Sequence, residues 1–282
     1  MKEEAQALTE EGLAIARAGG DDGLAGWALH NLGFLLTLKG DYSGARSVLD
    51  ESVELCRQVG DRVGEGMSLR DLGHIARLDG DYHRADELYM KSLSLLRVVG
   101  HRTNIVWTLQ GIGYLARQMR DINRARSALR ESSIVGEQVV QHFRIHSVSD
   151  WALGNLERSV GNYDEAALHL RAALAELERN LVHPGITWQT RYYVHSMATI
   201  YLQSGARDVG VRLAAFVADD YRDPVNNLRE DIADHERALQ EARVALGDDA
   251  FAVAWAAGKA MTIDVAVALA LSKSTDHGTV LS

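Results

Sequence analysis

Apolar residues along this chain recur at steps of three and four, as in Val48, Leu49, Val53 and Leu55 with Ser52 among them, the spacing of one helix face. No strand pattern is visible. The helical pattern itself repeats. Leu32-Gly33 is followed by Gly40-Asp41-Tyr42 and Ala45; Leu72-Gly73 by Gly80-Asp81-Tyr82 and Ala85. Ile112-Gly113 is followed by Arg120-Asp121-Ile122 and Ala125, and Leu153-Gly154 by Gly161-Asn162-Tyr163 and Ala166. The glycines at 33, 73, 113 and 154 are separated by 40, 40 and 41 residues. A weaker fifth copy has Ala198 at that position, then Gly205 and Gly210.

The pattern predicts an all-α chain. Residues 1–18 read as one helix matching the second helix of the unit, with Leu8 and Ile15 standing where Leu49 and Cys56 stand. Five helical hairpins follow to about Tyr221, and Asp223-Pro224 breaks the chain. A long helix is predicted over 225–246, with Arg229, Glu230, Glu236 and Arg237 on its polar face. Gly247-Asp248-Asp249 opens a short helix bearing Phe251 and Trp255, which Gly258 ends, and Thr262 caps a last helix through Leu271. The expected division is a repeat array over 1–221, a helical extension over 222–271, and a polar, disordered tail over 272–282.

Each repeated position has a physical reason. A glycine inside an apolar helical stretch costs about 1 kcal/mol against alanine, so its recurrence requires close approach of a neighbouring helix. The second glycine, at 40, 80 and 161, ends the first helix as a C′ residue. Asp or Asn then caps the next helix, with Tyr behind it to plug the hairpin. Ala45, Ala85, Ala125 and Ala166 let the second helix pack on the first.

The small residue, the Gly-x-Tyr turn and the following alanine resemble the tetratricopeptide repeat, over roughly residues 1–221. The period is longer than the basic repeat of about 34 residues, which lengthens both helices, as in kinesin light chains and bacterial regulator sensor regions. A second resemblance lies in Ala245–Phe251, Ala254–Thr262 and Ala266–Ala270, which look like the end of the repeat region in large, ATP-binding, LuxR-type bacterial transcriptional regulators. The resemblance implies a right-handed superhelix (α-solenoid) whose first helices line an inner groove, serving as a sensory or protein-interaction module. Because the array opens mid-repeat, further repeats or another domain are expected upstream; the alternative is that 1–18 form a natural cap. No DNA-reading domain is expected within these residues.

Taking the repeated glycine and Ala198 as one position, the groove is expected at offsets of −6, −3, +1 and +4. These carry Trp27, Met67, Trp107, Val148 and Tyr192; His30, Arg70, Gln110, Trp151 and His195; Phe34, His74, Tyr114, Asn155 and Thr199; and Thr37, Arg77, Arg117, Arg158 and Leu202. Trp188 falls near the same groove. Arg77, Arg117 and Arg158 are expected to form a basic ladder for carboxylate or phosphate, with the aromatics as anchors. The competing reading pairs each arginine with a neighbouring acid such as Asp71 or Glu157, and makes each aromatic a packing residue. The expected partner is a protein or peptide segment, acidic in character.

Composition narrows this further. Of 282 residues, 46% are hydrophobic and 24% charged, as in a folded, soluble chain, and only 2 are proline. A formal charge of -9 argues against a broad nucleic-acid footprint. The single cysteine, Cys56, excludes an intramolecular disulfide and reads as an inert core thiol. No apolar window approaches a membrane span and no signal sequence opens the chain, so a cytoplasmic location is expected. Phosphate loops, nucleophile elbows and zinc-protease motifs are absent, and the paired acids Asp21-Asp22, Asp219-Asp220 and Asp248-Asp249 sit at predicted helix ends. No enzyme activity, cofactor or metal is expected. His142 and His146, four apart on a helix, are the one metal-shaped pair, lacking a third ligand nearby in sequence. The alternatives to a regulator domain are a free-standing adaptor and a homodimer paired through the N-terminal face.

Overall fold

A computed structural model describes residues 2–139, 143–180, 188–218 and 229–272. These form helices only. The chain divides into two compact units, residues 1–140 and 141–282. In the first, α1 (Lys2–Gly19) packs on α2 (Asp22–Lys39), which pairs with α3 (Tyr42–Val59). The next hairpins are α4 (Arg62–Leu78) with α5 (Tyr82–Val99), and α6 (Arg102–Gln118) with α7 (Ile122–Glu137). The second unit holds α8 (Phe143–Ser159) with α9 (Tyr163–Asn180), and α10 (Trp188–Gln203) with α11 (Arg207–Val217). It ends with α12 (Arg229–Leu246), α13 (Asp248–Lys259) and α14 (Ile263–Leu271). Among the described residues these make five helix pairs.

The helix ends follow from the caps. Asp41, Asp81 and Asp121 each accept from the backbone N–H three residues on, satisfying a donor the helix cannot. Gly40, Gly80 and Gly161 have φ of 82°, 82° and 83°, the left-handed conformation that closes a helix. Arg120 occupies the same place in the third hairpin and is forced to a φ of 64°.

The repeated glycines are close approaches between the two helices of a hairpin. A β-carbon on Gly33 would meet Leu49, and one on Gly73, Gly113 or Gly154 would meet Tyr89, Leu129 or Leu170. A second set, Gly26 and Gly66, faces Cys56 and Leu96. Between these contacts the hydroxyls of Ser52, Ser92 and Ser132 donate to the carbonyls of Gly26, Gly66 and Val106, at 2.7, 2.7 and 3.2 Å. Ser52 also meets Ser68, and Ser92 meets Thr108, at 2.9 and 3.2 Å. This polar seam inside an apolar core locks successive hairpins in register, since a slipped helix would strand buried hydroxyls.

Two local expectations are corrected. Gly258 does not end α13; it lies one residue before the end, pressed on the Arg212 carbonyl, with the Ala215 methyl 2.7 Å from where a β-carbon would be. Leu8 and Ile15 are not the equivalents of Leu49 and Cys56: both are 63% exposed, and Ala16, forty residues before Cys56, takes the buried place. α12 is described from Arg229 onward; 225–228, the Asp223-Pro224 break, Asp219-Asp220 and the tail from 273 lie outside the described residues.

Candidate functional site

In the first unit α2, α4 and α6, the first helices of the three hairpins, lie side by side as one row. A forty-residue period places equivalent side chains in register across them. Trp27, Met67 and Trp107 form one rung, and Phe34, His74 and Tyr114 form another seven residues along, about 10 Å away at 1.5 Å per residue. Trp27, Phe34 and Trp107 are 37%, 50% and 36% exposed, large for aromatic residues in so short a span. The Trp27 indole N–H donates to Asp61 Oδ2 at 2.7 Å, which fixes the ring across the start of the next first helix.

The other two offsets do not face this surface. His30 and Gln110 are buried, and Arg70 mostly so. Arg77 and Arg117 are only 4% and 5% exposed. The expectation of an open basic ladder is therefore corrected: steps of −3 and +4 turn the side chain into the seam between neighbouring first helices. Arg77 donates to Gln118 Oε1 at 3.0 Å, lies 3.3 Å from His74 Nδ1 and sits over the Tyr114 ring at 6.0 Å. Asp71 is not the partner of Arg77. Asp71 instead holds His30 at 3.0 Å and Arg70 at 2.8 Å, and Arg70 reaches Asn104 Oδ1 at 2.9 Å. This chain stitches three repeats together.

The electrostatics follow from burial. Burial alone would raise the Asp71 carboxyl, but Arg70 and His30 outweigh it and hold it well below the usual carboxylate range. Burial, helped by the Arg77 charge, lowers the His74 imidazole to about 4, so it is neutral beside that guanidinium. Burial likewise pushes the Cys56 thiol up, consistent with an unreactive position between Gly26 and Gly64.

In the second unit the equivalent positions are covered. Trp151, Asn155, Arg158, Tyr192 and His195 are all buried. Trp151 stacks on Tyr193 at 6.1 Å, meets Tyr192 edge-on at 6.3 Å, and donates its indole N–H to Ser196 Oγ at 2.9 Å. These aromatics are packing residues. Arg158 is tied to α12, pairing with Asp231 and, at 3.4 Å, with Asp234, while reaching Gln203 at 3.3 Å. The His195 and His235 rings lie 4.1 Å apart, and Thr199 Oγ1 is 2.7 Å from His235 Nδ1. Burial, with the Arg158 charge, lowers His235 to about 4, and burial beside His235 lowers His195 as well. Sequence reasoning missed this role of α12; the stripe Asp231, His235, Ala238, Ala242 was the available signal.

Among the described residues no group of three or more His, Cys, Asp or Glu could hold a metal ion. His142 and His183, with the side chains of His146 and Trp188, lie outside the described residues. No single described helix is long and apolar enough to cross a membrane.

No curated protein sequence matches the chain. Among solved structures it is similar to BtubC (BKLC) from P. vanneervenii, at 17% identity and a TM-score of 0.61, covering 87% of this chain and 92% of that one. It is also similar to a Rap protein complexed with competence and sporulation factor, at 15% identity and a TM-score of 0.58, covering 88% and 77%. Aspartyl phosphate phosphatase F from Bacillus subtilis gives 11% and 0.57, covering 96% and 76%. At these identities the likeness shows the fold alone. Residues 24–97 and 64–133 match the tetratricopeptide repeat family, and the chain is accordingly an all-α solenoid of tetratricopeptide-like helix pairs.

Proposed function

We propose that the chain is a non-catalytic scaffold that binds a protein or peptide segment, acting as the sensory or regulatory part of a bacterial transcriptional regulator. The observation that carries the binding reading is the pair of aromatic rungs on the first unit, Trp27–Met67–Trp107 and Phe34–His74–Tyr114. Exposed indole and phenyl rings on rigid helices are the composition of binding hot spots. Below the second rung, the described partners of Arg77 are neutral groups, so its charge favours an acidic segment over a basic one. In this form the arginine acts through its field rather than by direct contact. A similarly folded Rap protein is known in complex with competence and sporulation factor, which supports a binding role for the fold.

The test is selection of peptides from a random display library on the whole chain. Enriched peptides combine apolar and acidic residues, lose at least tenfold affinity to Trp27→Ala/Trp107→Ala, and show a weaker salt dependence with Arg77→Gln. Peptides binding both variants like the parent overturn the reading. An output domain in the surrounding reading frame tests the regulator assignment separately.

A second reading, self-association through the N-terminal face, rests on Leu8 and Ile15, which α1 leaves exposed. Light scattering of the parent and of Leu8→Glu/Ile15→Glu decides it.

A further inference from the structure

The two ends of α12 are held in different ways. Its second half is anchored by apolar contact: Ala238 and Ala242 cluster with Leu202, Val211 and Ala254, with Leu239, Leu246, Phe251 and Trp255 packed against them. Its first half meets the row of first helices through polar groups. Asp231 and Asp234, one turn apart, both engage Arg158, and His235 meets Thr199 and His195. Arg158 and His195 occupy the +4 and −3 places of their repeats, and α12 crosses the row at those places. The adjoining α11 is covered independently by α13, where Gly258 allows backbone-close packing.

We propose that the first-helix face of the second unit is a binding surface for an acidic amphipathic helix, and that the first half of α12 is its resident, displaceable occupant. An empty face would strand the Arg158 guanidinium, whose side chain is 1% exposed, without carboxylates. Exchange of one acidic helix for another conserves the pairing, so a partner presenting two carboxylates one turn apart replaces α12 without exposing an unpaired charge. The surface is separate from the aromatic rungs of the first unit and does not rest on the reading given for them.

The test uses the full chain and a labelled synthetic peptide with the sequence of residues 229–246. α12 is tethered, and tethering confers an effective concentration of order millimolar, so the peptide binds the parent weakly. Asp231→Asn/Asp234→Asn weakens the resident helix, and the native-sequence peptide then binds at least tenfold more tightly than to the parent. A peptide carrying the same two Asn replacements binds neither protein. Glu236→Gln, on the exposed side of α12, behaves as the parent. Should the double variant not fold, Thr199→Val loosens His235 with all charges in place. Amide exchange at 230–236 then accelerates at least tenfold while 238–246 stays protected. Equal peptide affinity for parent and double variant, or unchanged exchange in Thr199→Val, overturns the proposal.

Discussion

Gly113 lies against Leu129 so closely that a β-carbon added to it would sit 2.6 Å from both Cγ and Cδ2. The Leu129 branch point cannot swing away as the tip of a flexible side chain could. Gly113→Ala gains about 1 kcal/mol of helix propensity but overpacks a core contact at about 1–3 kcal/mol. The expected result is net destabilisation. Gly12, in the middle of α1, has nothing within 4 Å of the same added atom. Gly12→Ala is therefore expected to stabilise by up to about 1 kcal/mol. Urea unfolding of the two variants gives opposite shifts in midpoint; shifts of the same sign would show that the glycine is not there for the approach.

Arg120 gives the converse case. It adopts a φ of 64° where Gly40 and Gly80 stand in the two preceding hairpins. A side chain in the left-handed region costs about 1 kcal/mol or slightly more, and glycine removes that cost against a smaller loss of unfolded-state restriction. Arg120→Gly is expected to raise the thermal midpoint by a few degrees, whereas Gly80→Arg lowers it. Calorimetry on both variants checks the pair.

These two cases show what a periodic sequence reveals. Gly33, Gly73, Gly113 and Gly154 were legible as close approaches because an unfavourable residue recurring every 40 or 41 positions needs a recurring cause. Caps and C′ glycines were legible for the same reason. The site was legible only in part. The −6 and +1 offsets reach solvent in the first unit, as Trp27, Phe34 and Trp107 show. Arg77 and Arg117 were misplaced because the +4 place, three residues past +1, is turned about 60° from it around the helix, enough to move the side chain from the face to the seam. Which flank meets the next repeat depends on packing partners some 34 to 41 residues away, as with Arg70 to Asn104 and Arg77 to Gln118. The covering of Arg158 by α12 has no counterpart in the repeats, so periodicity could not announce it. Gly258 was read as a stop because its partner, Arg212, is distant in sequence.

Acid is expected to destabilise the chain through its buried histidines. His74 and His235 are lowered from 6.5 to about 4, so the unfolded chain binds more protons than the folded one between those values. Stability is then fully present above about 6.5 and falls as pH drops towards 4, by at most about 1.4 kcal/mol per pH unit for each histidine. Asp71 adds a loss in the same direction at lower pH, because its carboxylate is held below the usual range. The urea midpoint at pH 5 lies below that at pH 7.5. His74→Asn and His235→Asn each flatten this dependence; a midpoint constant across the window would contradict the burial of the neutral rings.

The hydroxyl seam makes a prediction about coupling between repeats. Ser92 belongs to α5 but its oxygen is 3.2 Å from Thr108 Oγ1 on α6, in the next hairpin, while it donates to Gly66 of α4 at 2.7 Å. Ser92→Ala leaves the buried Gly66 carbonyl without this donor and is expected to cost about 1–2 kcal/mol. Thr108→Val removes the other side of the link at nearly constant shape. If the two hydroxyls interact, the double variant costs less than the sum of the single ones by about 0.5–1 kcal/mol, because the second replacement no longer strands a partner. A cycle measured by denaturant unfolding at pH 7.5 tests this. Strict additivity would mean that the seam serves each hairpin separately, and that register between hairpins rests on apolar packing and on the Asp71–Arg70–Asn104 chain instead.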